Sequence, residues 1–140
     1  MALTFKVYSD SNLTTEISTL QFSAAAINPS PEDKTVYIGS TNASNKLEAN
    51  SNPGIDQIVL SINDSDPGSG HETTEFKLAL TQNDLNTATP GASLNLGTQL
   101  TGGTVNAIPV YIRFENAVVN PGTLPVEISF TTNEVYESSV

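Results

Sequence analysis

The feature that most constrains the fold is the regular interruption of short alternating runs by turn-forming dipeptides. Four such pairs punctuate the chain: Pro53-Gly54, Pro67-Gly68, Pro90-Gly91 and Pro121-Gly122. Proline sets the φ angle needed at the second position of a type II turn, and glycine tolerates the positive φ of the third. No helix-length amphipathic stretch competes with these runs. The pattern predicts an all-β protein.

The runs between the breaks alternate apolar and polar residues with the period of a β-strand. They span residues 3–8, 35–40, 57–62, 76–80, 94–96, 108–114 and 124–130. The first run is expected to point Leu3, Phe5 and Val7 inward. The last two runs are predicted to pair with each other as antiparallel neighbours. Because proline removes a ladder hydrogen bond, Pro109 and Pro125 are expected at a sheet edge, at a strand start or beside a bulge.

Three stretches lack this alternation. Residues 15–22 are predicted to form a bulge or a short irregular stretch. Residues 23–27 could form a helical turn stopped by Pro29 and Pro31, and residues 41–54 are predicted to form a long loop or a weak hairpin. Altogether we expect about eight strands in a two-sheet antiparallel sandwich, Ig-like or jelly-roll-like, with its sheets about 10 Å apart. The 140 residues suit a single domain covering 1–140.

Composition narrows the classes of partner. Threonine, serine and asparagine number 17, 15 and 14, a bias that suits strands joined by polar turns. The net charge of −10 disfavours nucleic acid and anionic membranes, and favours a partner with a basic surface. The chain has no cysteine, so disulfides and thiolate zinc sites are excluded. Met1 opens directly onto a strand-like run, which predicts synthesis in a cytoplasm without a signal peptide.

The segment from 63 to 75 gathers oxygen ligands on a glycine-rich turn. Calcium binds six to eight oxygens, and Asp64, Asp66, Glu72 and Glu75 could supply several. The segment nevertheless departs from the helix-loop-helix calcium pattern, and aspartate and glycine also form turns unaided. His71 is the only histidine and lies in the same loop, without an adjacent nucleophile, so we expect it to be exposed. We therefore expect a solvated hairpin loop, no cofactor and no catalytic residue, with cation binding as the alternative.

Five segments carry a resemblance to a known class of protein. They lie at residues 36–39, 58–62, 75–80, 90–97 and 110–114, and they resemble small β-sandwich virion structural proteins of tailed bacteriophages, which decorate or cement the capsid. The resemblance covers about two-thirds of the chain and includes no catalytic signature. It implies a non-enzymatic protein that binds the major capsid protein on the capsid surface after synthesis in the host cytoplasm. It also implies self-association, for instance as a homotrimer.

The resemblance assigns no binding residues, so the apolar N-terminal strand and the loops are the expected contact surfaces. Two other functions remain open on the sequence. One is a tail, baseplate or fibre module that binds a host surface. The other is an enzyme or a metal-dependent carbohydrate-binding module centred on Asp64, Asp66, His71 and Glu72, although the chain has no tryptophan to stack on a sugar.

Overall fold

The computed structural model describes residues 3–20, 22, 31–115 and 127–140, and these form ten β-strands and three single-turn 3-10 helices. The strands are β1 Lys6–Tyr8, β2 Glu32–Gly39, β3 Asn45–Ala49, β4 Ile58–Asp64, β5 Phe76–Ala79, β6 Leu94–Gly97, β7 Gln99–Thr101, β8 Ile108–Phe114, β9 Ile128–Thr132 and β10 Val135–Ser139. The 3-10 helices are Thr73–Glu75, Asn83–Asn86 and Thr104–Asn106. Within these ranges no helix is both long enough and apolar enough to cross a membrane.

The strands form three antiparallel sheets, so the prediction of an all-β antiparallel protein is confirmed. The first sheet has the order β1-β2-β8-β5. The other two have the orders β10-β3-β7 and β6-β4-β9. The described residues thus form ten strands in three sheets, where about eight strands in two sheets were expected. The architecture is consistent with a β-sandwich.

The two three-stranded sheets lie end to end as one interrupted layer. One residue separates β6 from β7, two separate β9 from β10, and residues 50–57 loop out between β3 and β4. Asn133 bridges the interruption, because its side chain donates to the Gln57 carbonyl at 3.1 Å and accepts from the Val59 amide at 2.9 Å. The extra sheet therefore arises from a break in the second layer of the sandwich.

The hydrophobic core lies between the first sheet and this interrupted layer. It draws on both layers, and its largest fully buried side chains include Phe76, Phe114 and Ile58. The rings of Phe76 and Phe114 pack with centroids 4.9 Å apart, and Phe22 lies 5.6 Å from each. Burial of aromatic and aliphatic area of this kind is the main stabilising term for a chain without disulfides.

Three of the Pro-Gly turns have the predicted geometry. Gly54, Gly68 and Gly91 adopt φ values of 80°, 85° and 79°. In each turn the residue after glycine donates its amide hydrogen to the carbonyl of the residue before proline, at 3.0, 3.1 and 3.2 Å respectively. The fourth pair, at 121–122, lies outside the described residues, as do Pro125 and the predicted helical turn at 23–27. Pro109 is the second residue of β8, at a strand start as expected.

The predicted pairing of the last two runs is wrong for the residues that the structure describes. Strand β8 lies between β2 and β5, and β9 pairs instead with β4 in the other layer. The prediction assumed that neighbouring runs pair, but both edges of β8 are taken by strands distant in sequence. The segment 41–54 was predicted to be a long loop or a weak hairpin. It instead contains β3, which is the central strand of the sheet β10-β3-β7.

The first run is only partly inward. Phe5 is buried as expected, but Leu3 and Val7 are exposed to 41% and 36%. Val7 lies opposite the core residue Ile38, and it remains accessible because β1 is a short edge strand. Tyr8, on the other face, is buried at 8%.

Candidate functional site

One end of the sandwich, which we call the acidic pole, carries Asp64, Asp66, Glu72, Glu75 and Glu127. Strand β4 ends at Asp64, and the amide of Ser65 donates to the carbonyl of Glu127 at 3.0 Å. The 3-10 helix Thr73–Glu75 lies beside this strand end and leads into β5. The fold therefore brings residues 64–75 together with Glu127, which is more than 50 positions away in sequence.

The inner part of the acidic pole is a buried His71–Glu75 pair. The His71 Nδ1 atom lies 3.1 Å from Glu75 Oε2, and the two residues are 1% and 5% exposed. The Glu72 amide donates to the same carboxylate at 2.7 Å, and the ring of Phe114 packs edge-on against the imidazole at 5.6 Å. The backbone amide of His71 donates to the Glu127 carboxylate. His71 is thus an interior residue, where the sequence predicted an exposed loop histidine.

Two further carboxylates of the pole, those of Glu72 and Asp64, accept separate local hydrogen bonds. Glu72 Oε1 accepts from the Gly68 amide at 2.9 Å, and Asp64 Oδ1 accepts from the Asp66 amide at 2.8 Å. Asp64 Oδ2 is buried with no hydrogen-bond partner in the described structure. Among the described residues, no group of three or more His, Asp or Glu side chains converges in a way that could hold a metal ion. The four predicted cation ligands therefore share one end of the fold, and the carboxylates of Asp64, Glu72 and Glu75 accept hydrogen bonds from three different backbone amides.

The opposite end, which we call the terminal pole, is organised around Glu137. Its carboxylate accepts hydrogen bonds from the Thr4 amide at 2.8 Å, the Thr4 hydroxyl at 2.8 Å, the Asn45 side chain at 2.7 Å and the Phe5 amide at 3.3 Å. Burial opposes ionisation, but the hydrogen bonds from Thr4, Asn45 and Phe5 outweigh it and lower the pKa of Glu137. This carboxylate fastens the N-terminal segment to β10 and β3.

Several loops and chain ends meet around this carboxylate. Thr4 also shares a hydrogen bond of 2.7 Å with Ser40, whose carbonyl accepts from the Gly103 amide at 2.8 Å. The Val140 amide donates to the Ser44 carbonyl at 2.8 Å. These contacts place residues 3–5, 40–45, 102–106 and 137–140 at one end of the molecule.

The terminal pole exposes apolar side chains to solvent. Val105 is 93% exposed, Val140 73% and Leu3 41%, and the smaller Ala43 is exposed beside Gly103. Sequence reasoning pointed to the N-terminal strand and the loops in general, which includes Leu3. It did not single out Val105 or Val140, because isolated valines in polar segments carry no periodic signal.

The two poles are separated by the length of the sandwich. Strand β8 begins at Ile108, opposite Ile38 near the terminal pole, and ends at Phe114, opposite Phe76 at the acidic pole. Seven residues of strand span roughly 20 Å. The chain therefore presents an apolar end and an acidic end on opposite sides.

Every lysine and arginine of the chain pairs with a carboxylate of its own. The pairs are Lys6–Glu16 at 3.6 Å, Lys34–Glu32 at 3.9 Å, Lys46–Glu48 at 3.1 Å, Lys77–Glu115 at 3.5 Å and Arg113–Asp33 at 2.7 Å. The sequence contains five basic and fifteen acidic residues, so no further lysine or arginine is present to neutralise the remaining acids. The remaining acidic side chains therefore carry negative charge that no lysine or arginine of the chain balances.

No protein-family model, curated protein or solved structure matches this chain.

Proposed function

We propose that this protein is a non-enzymatic structural protein of a tailed-bacteriophage virion. In this proposal it is a capsid decoration or cement protein that binds the major capsid protein and stabilises the head shell. It is made in the host cytoplasm and acts on the capsid surface. Its partners are proteins, rather than nucleic acids or membranes.

The observation that carries the proposal is the exposed apolar surface at the terminal pole. Exposed aliphatic side chains gathered at one end of a small protein are typical of protein-protein contacts. Val105 and Val140 would lose most of their exposed area in such a contact, and burial of apolar area is the usual source of binding free energy. We infer that the terminal pole faces the shell.

The distribution of charge supports the same orientation. Because all five cations are paired internally, the acidic pole keeps a negative potential that repels a second acidic pole. An outward acidic pole would keep decorated particles soluble. Self-association, for instance as a homotrimer, would multiply weak shell contacts through avidity.

Reconstitution on capsids lacking the protein tests this proposal. We expect the purified chain to co-sediment with such capsids and to raise the temperature at which they disassemble. The double substitution Val105→Asp with Val140→Asp should weaken binding at least about tenfold, since two charges would be buried against the shell. Ile55→Asp is the matched control, because Ile55 is 68% exposed but lies in the loop 50–57 between the poles.

Two results would overturn the proposal. One is the absence of binding by the wild-type chain, together with equal heat resistance of capsids with and without it. The other is that Ile55→Asp weakens binding as much as the double substitution Val105→Asp with Val140→Asp. Binding of labelled protein to host cells without capsids would favour a tail or fibre module instead.

A further inference from the structure

A cavity of about 220 Å³ lies between the two layers of the sandwich. Its floor consists of the buried aliphatic side chains of Val36, Ile38 and Ile112 from the first sheet and Leu60 from β4. Well-packed protein interiors contain few voids larger than a water molecule. A space of this size, walled by core side chains of both layers, is therefore large enough to receive a ligand.

The cavity opens beside the short edge strand β1. Val7 of β1, Ile17 and Leu20 of the following segment and Phe130 of β9 line the cavity and are at least partly accessible to solvent. Exposed Ser18, Thr19 and Ser129 also line it. No charged residue is among the described residues that line the cavity. A ligand would therefore meet hydrocarbon walls and a neutral polar rim.

Size and lining together define the ligand. Apolar cavities of about 150 Å³ remain dry and bind benzene, whereas drug-sized ligands need roughly 300 Å³ or more. An ionised group would lose its hydration in this cavity without gaining a partner of opposite charge. We propose that the cavity binds a small uncharged molecule with an aromatic or aliphatic body, of about the size of benzene. The inference is independent of the proposed virion role, because the cavity shares no residue with the exposed apolar surface of the terminal pole.

Titration of the full chain with benzene tests this inference. The readouts are the methyl signals of Val36, Ile38, Leu60 and Ile112 in carbon-proton NMR spectra, and the melting temperature. We expect saturable shifts of these methyl signals and a rise in melting temperature, because a ligand that binds only the folded state stabilises it. Pyrazine has the same ring shape but two hydrated nitrogens, so it should bind at least about tenfold more weakly.

A blocking variant and a matched control locate the site. Val7→Phe places a larger side chain at the opening and should abolish the benzene shifts. Lys6→Phe adds the same ring to the opposite face of β1 and should retain them. Thr19→Phe, on the irregular segment after β1, is a second blocking variant in case Val7→Phe does not fold.

The inference is overturned if no saturable methyl shift occurs up to the solubility limit of benzene. Equal shifts in the blocked and control variants, or pyrazine binding as tightly as benzene, would also overturn it.

Discussion

Arg113 on β8 and Asp33 on β2 lie directly opposite each other and form a two-bond ion pair. Arg113 Nε donates to Asp33 Oδ1 at 2.7 Å, and Nη2 donates to Oδ2 at 3.0 Å. Gln82 donates to the same carboxylate, and Arg113 Nη1 donates to the Asn86 side chain at 3.0 Å. The pair thus ties the 3-10 helix Asn83–Asn86 to the outer face of the first sheet.

Replacement of Arg113 tests the contribution of this pair. We expect Arg113→Gln to lower the free energy of unfolding by at most about 1 kcal/mol at pH 7, since the pair lies at the protein surface but its geometry is bidentate. Urea unfolding measures the change. Lys77→Gln, which removes the more exposed Lys77–Glu115 pair, is the control and should cost less.

The stabilisation that the Arg113–Asp33 pair contributes should depend on pH. The hydrogen bond from Arg113 is the largest cause that lowers the pKa of Asp33 below its ordinary value of 3.8. A lowered folded-state pKa means that the stabilisation is present above pH 3.8 and is lost as the pH falls through the folded-state pKa. The difference between wild type and Arg113→Gln should therefore shrink below pH 3.8. A constant difference down to pH 2 would contradict the role of the ionised pair.

Glu137 should hold the N-terminal segment through its charge and its acceptors. Glu137→Gln replaces one acceptor oxygen with a donor that faces the donors of Thr4 and Asn45, so we expect a loss of about 2 kcal/mol. Hydrogen exchange should accelerate at the amides of Thr4 and Phe5. Glu134→Gln, at an exposed site immediately before β10 and three residues before Glu137, is the control and should leave exchange at Thr4 and Phe5 unchanged. Equal acceleration in both variants would contradict this role of Glu137.

Glycine is required at Gly102 and at Gly68 for two different physical reasons. A Cβ atom at Gly102 would lie 2.0 Å from the Asn42 carbonyl oxygen, whereas a Cβ at Gly68 would meet nothing within 4 Å. Gly68 has a φ of 85°, so Gly68→Ala should cost about 1 kcal/mol through backbone strain alone. Gly102→Ala should cost about 3 kcal/mol or more, because backbone must move. Thermal unfolding of both variants checks the order, and the reverse order would contradict the packing at Gly102.

Calcium should leave the melting temperature unchanged. The predicted ligands Asp64, Glu72 and Glu75 accept hydrogen bonds from different backbone amides. In the part of the chain that the structure describes, no three His, Asp or Glu side chains are grouped so that they could hold a metal ion. Calorimetry with calcium chloride, against sodium chloride at equal ionic strength, measures the effect. A calcium-specific rise in melting temperature that is lost in Asp64→Asn would instead establish a cation site at the acidic pole.

The sequence predicted the strands that bury one regular apolar face. Strands β4 and β8 alternate aliphatic with other residues, so their period identifies them whatever their partners. The sheet β10-β3-β7 was not predicted, since its strands are three to five residues long and rich in polar side chains. Its inward face includes Glu137, whose burial becomes favourable only when Asn45, 92 positions away, reaches it.

The acidic loop could be located from sequence, but its geometry could not. Carboxylates at 64, 66, 72 and 75 were visible as a cluster, whereas Glu127 joins them only through the pairing of β4 with β9. The burial of His71 likewise depends on Phe114, which belongs to a strand that was expected to pair elsewhere. Long-range pairing, which a single sequence does not specify, decided both features.

Imaging of virus particles by cryo-electron microscopy would test the proposed role of this protein. We predict density for the β-sandwich on the outer surface of the head shell, with Leu3, Val105 and Val140 against the major capsid protein and the acidic pole towards solvent. Density confined to the tail, or a shell contact made through the acidic pole, would contradict the proposal.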